Sequence, residues 1–489
     1  MKRSHDGADK TTSTSLSEMP SLVCTIGGTD MAITDDQLRN ELNKFLDQLG
    51  PQDDVFLVPP DFTRFHSQAG RITELIAEYY QFIPNTSSTS TTTTTTTSSS
   101  STVPPQSFQI MPALGTHAPM TQQQIQTMFG TPLAQKHIDS DETLFQVHDW
   151  RNDVVTIGYV PAEMVETATR GMVQQPWPAQ LNKAIWEKRN KPKSVVLSIG
   201  QVVPHEVMGM ANFNKNMFVG VGGVEAINLS HFIGAVYGME QMMGRAHNPL
   251  RAILNHASEQ LLQNELNVWY ILTVVAPNPT TQALELKGLY IGNSIECYNQ
   301  ACELSMAVNF TMLDRPPSKM VVYLDPDEFH STWLGNKSIY RTRMAMADGG
   351  ELIVLAPGVK RFGEDDQVDA LIRKYGYVGT PQIMEWMDQH QELKDNLSAV
   401  AHLIHGSSEG RFRITYCPGH LTKDEVEGVG FNYADLEAMS NKYNVDELAT
   451  GWHTDAETNE EFFFIKNPAL GLWAVKSRFE AGASSRIDT

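Results

Sequence analysis

Two periodicities alternate along the chain. Over residues 37–49 the apolar positions Leu38, Leu42, Phe45, Leu46 and Leu49 fall at helical spacing, and 54–58 is an apolar run of strand length. The pairing recurs with a helix over 68–82, a strand over 107–111, and a helix capped by Thr121 that runs to about Phe129. A strand over 153–160 and a helix over 179–189 follow. Ser194 to Ile199 is a β-branched run closed by Gly200, read as a buried strand that delivers a loop. Beyond it, 231–264 reads as helical, 268–276 and 284–291 as strands, and 294–308 as a helix.

At Asp314-Arg315-Pro316-Pro317-Ser318 two prolines break the composition, and the alternation then restarts. Strands are predicted over 319–324, 351–355 and 411–417, and helices over 337–347, 368–375, 383–405 and 433–442. Such alternation predicts an α/β chain in two lobes. The expected division is an N-terminal α/β domain over 21–313, a C-terminal α/β domain over 314–417, and a tail over 418–489. Residues 1–20 are polar and expected to be disordered. The stretch 85–102 is almost pure Ser and Thr and buries too little apolar surface to offset its ordering entropy, so it reads as a disordered insertion.

Composition narrows the function more by exclusion than by assignment. The formal charge of −20 argues against a nucleic-acid scaffold, while leaving room for a local arginine that binds a small anion. Cys24, Cys297, Cys302 and Cys417 are scattered, without paired spacing, as in a reduced compartment. No run of about 18 apolar residues predicts a membrane span, and the N-terminus lacks an apolar signal core. A cytoplasmic protein is expected.

The candidate chemistry gathers where strands end. Asp61, Thr63 and Arg64 follow the strand over 54–58, His117 follows that over 107–111, and His205, Lys215 and His231 follow the run from Ser194. In open α/β sheets such ends converge on one crevice. Two histidines across a substrate suit removal and return of a proton; a third suits a borderline metal. A lysine among Gly209, Gly220, Gly222 and Gly223 suits a covalent link to a cofactor. There is no HExxH, no GxxxxGK[ST] and no GxSxG. From the residues alone this is an α/β enzyme with histidine acid/base chemistry and room for a metal.

Four segments carry a resemblance: Asp61-Phe62-Thr63-Arg64, Gly115-Thr116-His117-Ala118-Pro119-Met120-Thr121, Pro204-His205, and Lys215 through Gly223 to His231. With ten residues from His205 to Lys215 and sixteen from Lys215 to His231, the chain resembles the nickel-dependent lactate racemase family. Weaker likeness extends through Tyr340 and Gly349-Gly350. The resemblance implies a two-lobed fold with the active site in the cleft between lobes, and a nickel-pincer nucleotide of the pyridinium-3,5-bisthiocarboxylic acid mononucleotide type, made by maturation enzymes. It implies that Lys215 anchors this cofactor and that His231 completes the nickel coordination. Asp61, Thr63, Arg64, Gly222 and Gly223 are implied at the cofactor. His117 and His205 are implied as the acid/base pair, one on each side of C2, while the C2 hydride moves to the cofactor and back. Arg64 and Tyr340 are implied at the substrate; His66, Asn212 and Asn214, which belong to the chain's departures from the family, are candidates to bind further substrate hydroxyls.

The departures bear on the substrate. Met210-Ala211-Asn212-Phe213-Asn214 stands where lactate-type members carry Ser-Gly-Gly, and Met344 stands where they carry a substrate lysine, which leaves Arg341 or Arg343 to replace it. The extra amides, and segments such as VVPHEVMGMANFNKN, resemble the sugar-acid branch, so a C2 epimerase of an aldonate such as gluconate or mannonate is expected. The alternatives are a racemase of a short or aromatic 2-hydroxy acid, and a non-catalytic nucleotide- or metal-binding homologue.

Overall fold

A computed structural model describes residues 19–85, 104–141, 143–278, 280–281, 283–469 and 471–484. The expected disorder of residues 1–20 and 85–102 falls almost wholly outside them.

The first sheet has six strands, in the order Leu22–Gly27, Leu284–Gly292, Val268–Pro277, Ser194–Gln201, Asp54–Val58 and Ser107–Ile110. The last four run parallel, and the first two are antiparallel additions at one edge. Side chains alternate across a strand, so each of the three inner parallel strands feeds two cores, while the edge strand Ser107–Ile110 feeds one through Phe108 and Ile110. Phe56, Val58, Val196, Tyr270 and Leu272 pack on one face; Val55, Leu57, Val195, Leu197, Trp269 and Ile271 pack on the other. That double burial is why these segments read as continuous apolar runs.

The second sheet also has six strands, in the order Asn432–Tyr433, Arg413–Pro418, Glu351–Ala356, Lys319–Tyr323, Glu461–Ile465 and Gly451–Thr454. All pairings are parallel except the last. Its Met320, Val322, Leu352 and Val354 belong to the same apolar cluster as Phe56 and Val58, so one core runs from sheet to sheet. The fold is α/β with parallel sheets.

Several elements depart from the periodicity, each for a tertiary reason. Residues 179–182, expected in a helix, form the end of a strand, Trp177–Asn182, because they pair antiparallel with Val154–Val160; a helical turn starts only at Lys183. The helix expected over 337–347 stops after Lys337–Tyr340. The carbonyls of Arg341 and Met344 accept instead from Trp473 and Val475 of the strand Leu472–Val475. The long helix expected over 383–405 is three pieces, re-started at His390 and by the Asn396 side-chain cap. The helical region expected over 231–264 is broken by Gly238 and Gly244, both at positive φ, and restarts with Pro249. The helix that holds His231 starts seven residues before the expected one, at Val224, and runs to Tyr237.

The expected tail carries structure its sequence did not announce. Its strands Gly451–Thr454 and Glu461–Ile465 complete the second sheet. Leu472–Val475 pairs in parallel with Phe310–Leu313, and the Phe479 carbonyl accepts from Arg245 at 2.8 Å. All four cysteines are free and buried. Among the described residues no helix is long and apolar enough to cross a membrane.

Candidate active site

Three adjacent parallel strands of the first sheet, ending at Val58, Ile110 and Gln201, deliver loops to one side, and those loops wall a single cavity. Asp61 starts a short 3₁₀ turn after Pro59-Pro60 and is buried. One of its carboxylate oxygens accepts from Thr63 Oγ1 at 2.6 Å, and the other meets His117 Nδ1 at 2.6 Å. His117 is held by a turn in which Gly115 adopts φ +56° and donates its N–H to the Gly220 carbonyl. Thr121 then caps the helix Gln122–Asp139 with a full capping box. Burial alone would raise the Asp61 carboxyl; the His117 ring, Thr63 and Arg64 together hold it below its ordinary value.

His205 stands on a two-residue arm, Pro204–His205, paired antiparallel with Gly209–Met210. Gly209 is required here: φ is +74°, and a Cβ would lie 2.1 Å from the Arg245 carbonyl oxygen. The arm curls so that the backbone N–H groups of Val207 and Met208 donate to His205 Nδ1, at 3.1 and 3.4 Å. Burial holds this imidazole well below its ordinary pKa; the Glu206 carboxylate opposes that effect, and Lys215, Arg64 and His231 add to it.

The loop to Lys215 is held under backbone strain. Asn212 and Phe213 adopt φ +65° and +60°, which non-glycine residues rarely do. The buried Arg251 clamps them, donating to the Met210 carbonyl at 2.7 Å and to the Asn214 side chain, while its guanidinium lies 4.2 Å from the Tyr298 ring centroid. Phe213 packs on Tyr270 and Tyr298. The following turn, Asn216–Gly220, is tied to the sheet because Asn216 Nδ2 donates to the Val58 carbonyl and to Ser198 Oγ, both at 3.0 Å. Burial pushes the Lys215 ammonium down to about 8, with Arg64 adding and Glu206 opposing.

His231 comes from the helix Val224–Tyr237, its Nδ1 2.7 Å from the Ile227 carbonyl oxygen. That ring nitrogen therefore carries the proton, and Nε2 keeps its lone pair. Burial lowers the pKa of this imidazole too. From the second half of the chain come Trp333, Leu334, Lys337 and Tyr340.

Of the residues singled out in the sequence, Asp61, Thr63, Arg64, His117, His205, Asn212, Lys215, His231 and Tyr340 line this one cavity. Four others lie outside its lining. His66 is exposed on the 3₁₀ turn beside Phe65. Asn214 is fully buried between Arg251 and Asn255. Gly222 and Gly223 serve packing: a Cβ on them would meet the Phe218 carbonyl oxygen at 1.9 Å and the Gln180 side-chain oxygen at 2.4 Å. Neither arginine considered in place of Met344 reaches the cavity. Arg341 is buried and donates to the Gly471 carbonyl, Arg343 pairs with Glu240, and Met344 packs with Met239, Met243 and Leu472.

Sequence reasoning missed Lys337, Glu206, Gln201 and Asn216, all in the lining. Lys337 precedes Tyr340 by one helical turn, an i, i+3 relation that was visible in the sequence. Burial and then Arg64 push its ammonium down to about 8. Glu206 directly follows His205. Burial would raise its carboxyl, but His205, Arg341 and Lys337 hold it below the usual range. The charged lining is three bases (Arg64, Lys215, Lys337) against two carboxylates (Asp61, Glu206), a locally cationic site on an acidic chain. Such a site suits a carboxylate or phosphate beside groups that move a proton.

Residues 32–244 match the family model described as lactate racemase N-terminal domain. No curated protein sequence matches the chain. A crystal structure of a protein from Thermotoga maritima is similar, with TM-score 0.73 and 21% identity over 92% of this chain and 100% of that one. The lactate racemase apoprotein from Thermoanaerobacterium thermosaccharolyticum is similar with TM-score 0.63 and 15% identity, over 90% of this chain and 93% of that one. The chain thus carries a match to the lactate racemase N-terminal domain over residues 32–244, on an α/β fold similar to that of the lactate racemase apoprotein.

Proposed function

We propose that the protein is an isomerase that inverts C2 of a 2-hydroxy acid, with a nickel-pincer nucleotide as cofactor and a polyhydroxylated acid of the aldonate class as substrate. The observation that carries this reading is the meeting, on one cavity, of an Asp61–His117 pair, a second histidine, a lysine and a third histidine with a free Nε2.

The residues fit such a cofactor. His231 is oriented as metal-ligating histidines are, with Nδ1–H donated to a backbone carbonyl and Nε2 left for the metal. Among the described residues no three His, Cys, Asp or Glu converge to hold a metal ion, so a metal on His231 would take its remaining donors from bound molecules, as a pincer cofactor would supply them. Lys215, with its ammonium near 8, offers an amine for covalent attachment close to neutral pH. When bound, the cofactor supplies the acceptor and donor for the C2 hydride. The chain's own residues do the rest: Arg64 and Lys337 attract the substrate carboxylate, His117 and His205 attend the hydroxyl, and Tyr340 offers a hydroxyl from the second half of the chain.

The aldonate reading rests on polar lining in excess of what lactate needs. Asn212, Gln201 and Glu206 add donors and acceptors suited to further hydroxyls. The test is nickel content and intact mass of protein co-produced with the cofactor-making enzymes, followed by turnover of aldonates and of lactate. Stoichiometric nickel, a mass increment lost in Lys215→Ala, and aldonate turnover are expected. Preference for lactate would overturn the substrate class. Absence of nickel where a known lactate racemase loads fully would overturn the mechanism and favour a non-catalytic binding protein.

A further inference from the structure

A second cavity adjoins the first. The two share a wall made of Thr116, next to His117, and Trp333, and their volumes are alike, about 140 and 130 Å³. The helix Val224–Tyr237 runs along both: Ile227 and His231 line the first cavity, Val224 and Asn228 the second. Trp333 is fixed by stacking on the His402 ring, with centroids 4.6 Å apart. Trp150 adds a further aromatic wall, and the Arg151 guanidinium lies 3.9 Å from its ring centroid. Ser398 Oγ donates to Asn228 Oδ1 at 2.6 Å, which leaves the amide Nδ2 for a ligand, and Gln367 contributes a second, exposed amide.

The two cavities are opposite in charge. The first carries Arg64, Lys215 and Lys337 against Asp61 and Glu206; the second carries Glu364, Asp365 and Asp395 against Arg151, which lies 3.8 Å from Asp365. A carboxylate or phosphate is therefore drawn to the first and repelled by the second. A neutral chain of hydroxyls suits the second. Carboxylates and amides exchange hydrogen bonds with its O–H groups, and its C–H edges pack on the tryptophan faces.

We propose that the second cavity is a subsite for the hydroxylated tail of the substrate. The carboxylate and C2 sit in the cationic cavity, and the carbons beyond C2 continue past Thr116 and Trp333 onto Trp150 and Asn228. The proposal rests on the reading of the first cavity as the site of a 2-hydroxy-acid isomerase and names what selects its substrate. By volume the subsite holds about four carbons, the tail of gluconate. Lactate ends before reaching it. Glucarate, with a carboxylate at each end, brings its second charge against Glu364, Asp365 and Asp395.

The test is isothermal titration calorimetry of the full chain, co-produced with the cofactor-making enzymes, against gluconate, lactate and glucarate. Gluconate should bind about tenfold tighter than either of the others. Trp150→Ala should weaken gluconate by about tenfold and leave lactate unchanged. Gln367→Ala, at an exposed helical position, should do the same by a smaller factor, and Asp395→Asn should narrow the gap between glucarate and gluconate. Equal affinity for gluconate and lactate, or variants that weaken both acids alike, would overturn the subsite, as would glucarate binding as tightly as gluconate. Loss of cofactor from Trp150→Ala protein that stays folded would overturn it too, by assigning the second cavity to the cofactor. Protein that turns over no 2-hydroxy acid, yet binds gluconate through Trp150 and Gln367, sinks the isomerase reading and leaves the subsite. Turnover of lactate and gluconate that neither variant alters sinks the subsite and leaves the isomerase.

Discussion

Asp61 and His117 are fifty-six positions apart in sequence and meet at 2.6 Å, carboxylate oxygen to Nδ1. The contact sets which nitrogen of the imidazole faces the cavity with a lone pair, and it stabilises the ring once protonated. Asp61→Asn keeps the shape but can reverse the hydrogen bond and so select the wrong tautomer. Turnover should fall by about 10²–10⁴-fold with a smaller change in KM. Steady-state kinetics on cofactor-loaded protein check this, and an unchanged kcat would exclude Asp61 from the proton chemistry.

The depressed Lys215 ammonium makes a prediction for the apoprotein. The neutral amine is the nucleophile, and with the pKa lowered to about 8 it becomes abundant two or so pH units sooner than on an exposed lysine. Acylation of Lys215, followed by peptide mass spectrometry, should rise with a midpoint near pH 8. Lys337, lowered to about 8 by its own burial, should behave alike. A midpoint at the ordinary lysine value would mean that the cavity is wetter than its packing indicates.

Arg251 holds the strained loop that presents Asn212 and Lys215. Arg251→Met leaves the Met210 carbonyl and the Asn214 amide short of a partner and frees Asn212-Phe213 from their left-handed conformation. A loss of about 2–4 kcal/mol in urea denaturation is expected. Arg251→Lys should recover little, because an ammonium cannot span the same acceptors as the planar fork.

Lys337 is the basic group that the second half of the chain adds to the lining. Lys337→Met should raise KM for the substrate carboxylate by about tenfold or more, with a smaller effect on kcat, equivalent to about 1.4 kcal/mol or more of binding. Met344→Lys should not restore it, since position 344 is buried among Met239, Met243 and Leu472. Comparison of KM and kcat for the two variants decides between binding and chemistry.

Much of the scaffold was legible in the sequence because its signals are local. The runs at 54–58 and 194–201 are largely apolar on both faces since each feeds two cores, the strand 107–110 alternates because only its Phe108 and Ile110 face a core, and Thr121 caps its helix through a side chain three residues from its partner. The loops at Asp61, His117 and His205 follow from where those strands stop. The tertiary structure alone decided the rest. It turned His66 outward, sealed Asn214 against Arg251, and brought Lys337 into the lining where Arg341 or Arg343 was expected to replace Met344. It also made 179–182 a strand by supplying a partner, and ended the helix after Tyr340 by giving the Arg341 and Met344 carbonyls to a strand more than a hundred residues later. Pairing partners, burial and the protonation site of an imidazole depend on groups distant in the chain. Residue type and spacing fix only which chemistry is available, and the fold fixes which atom performs it.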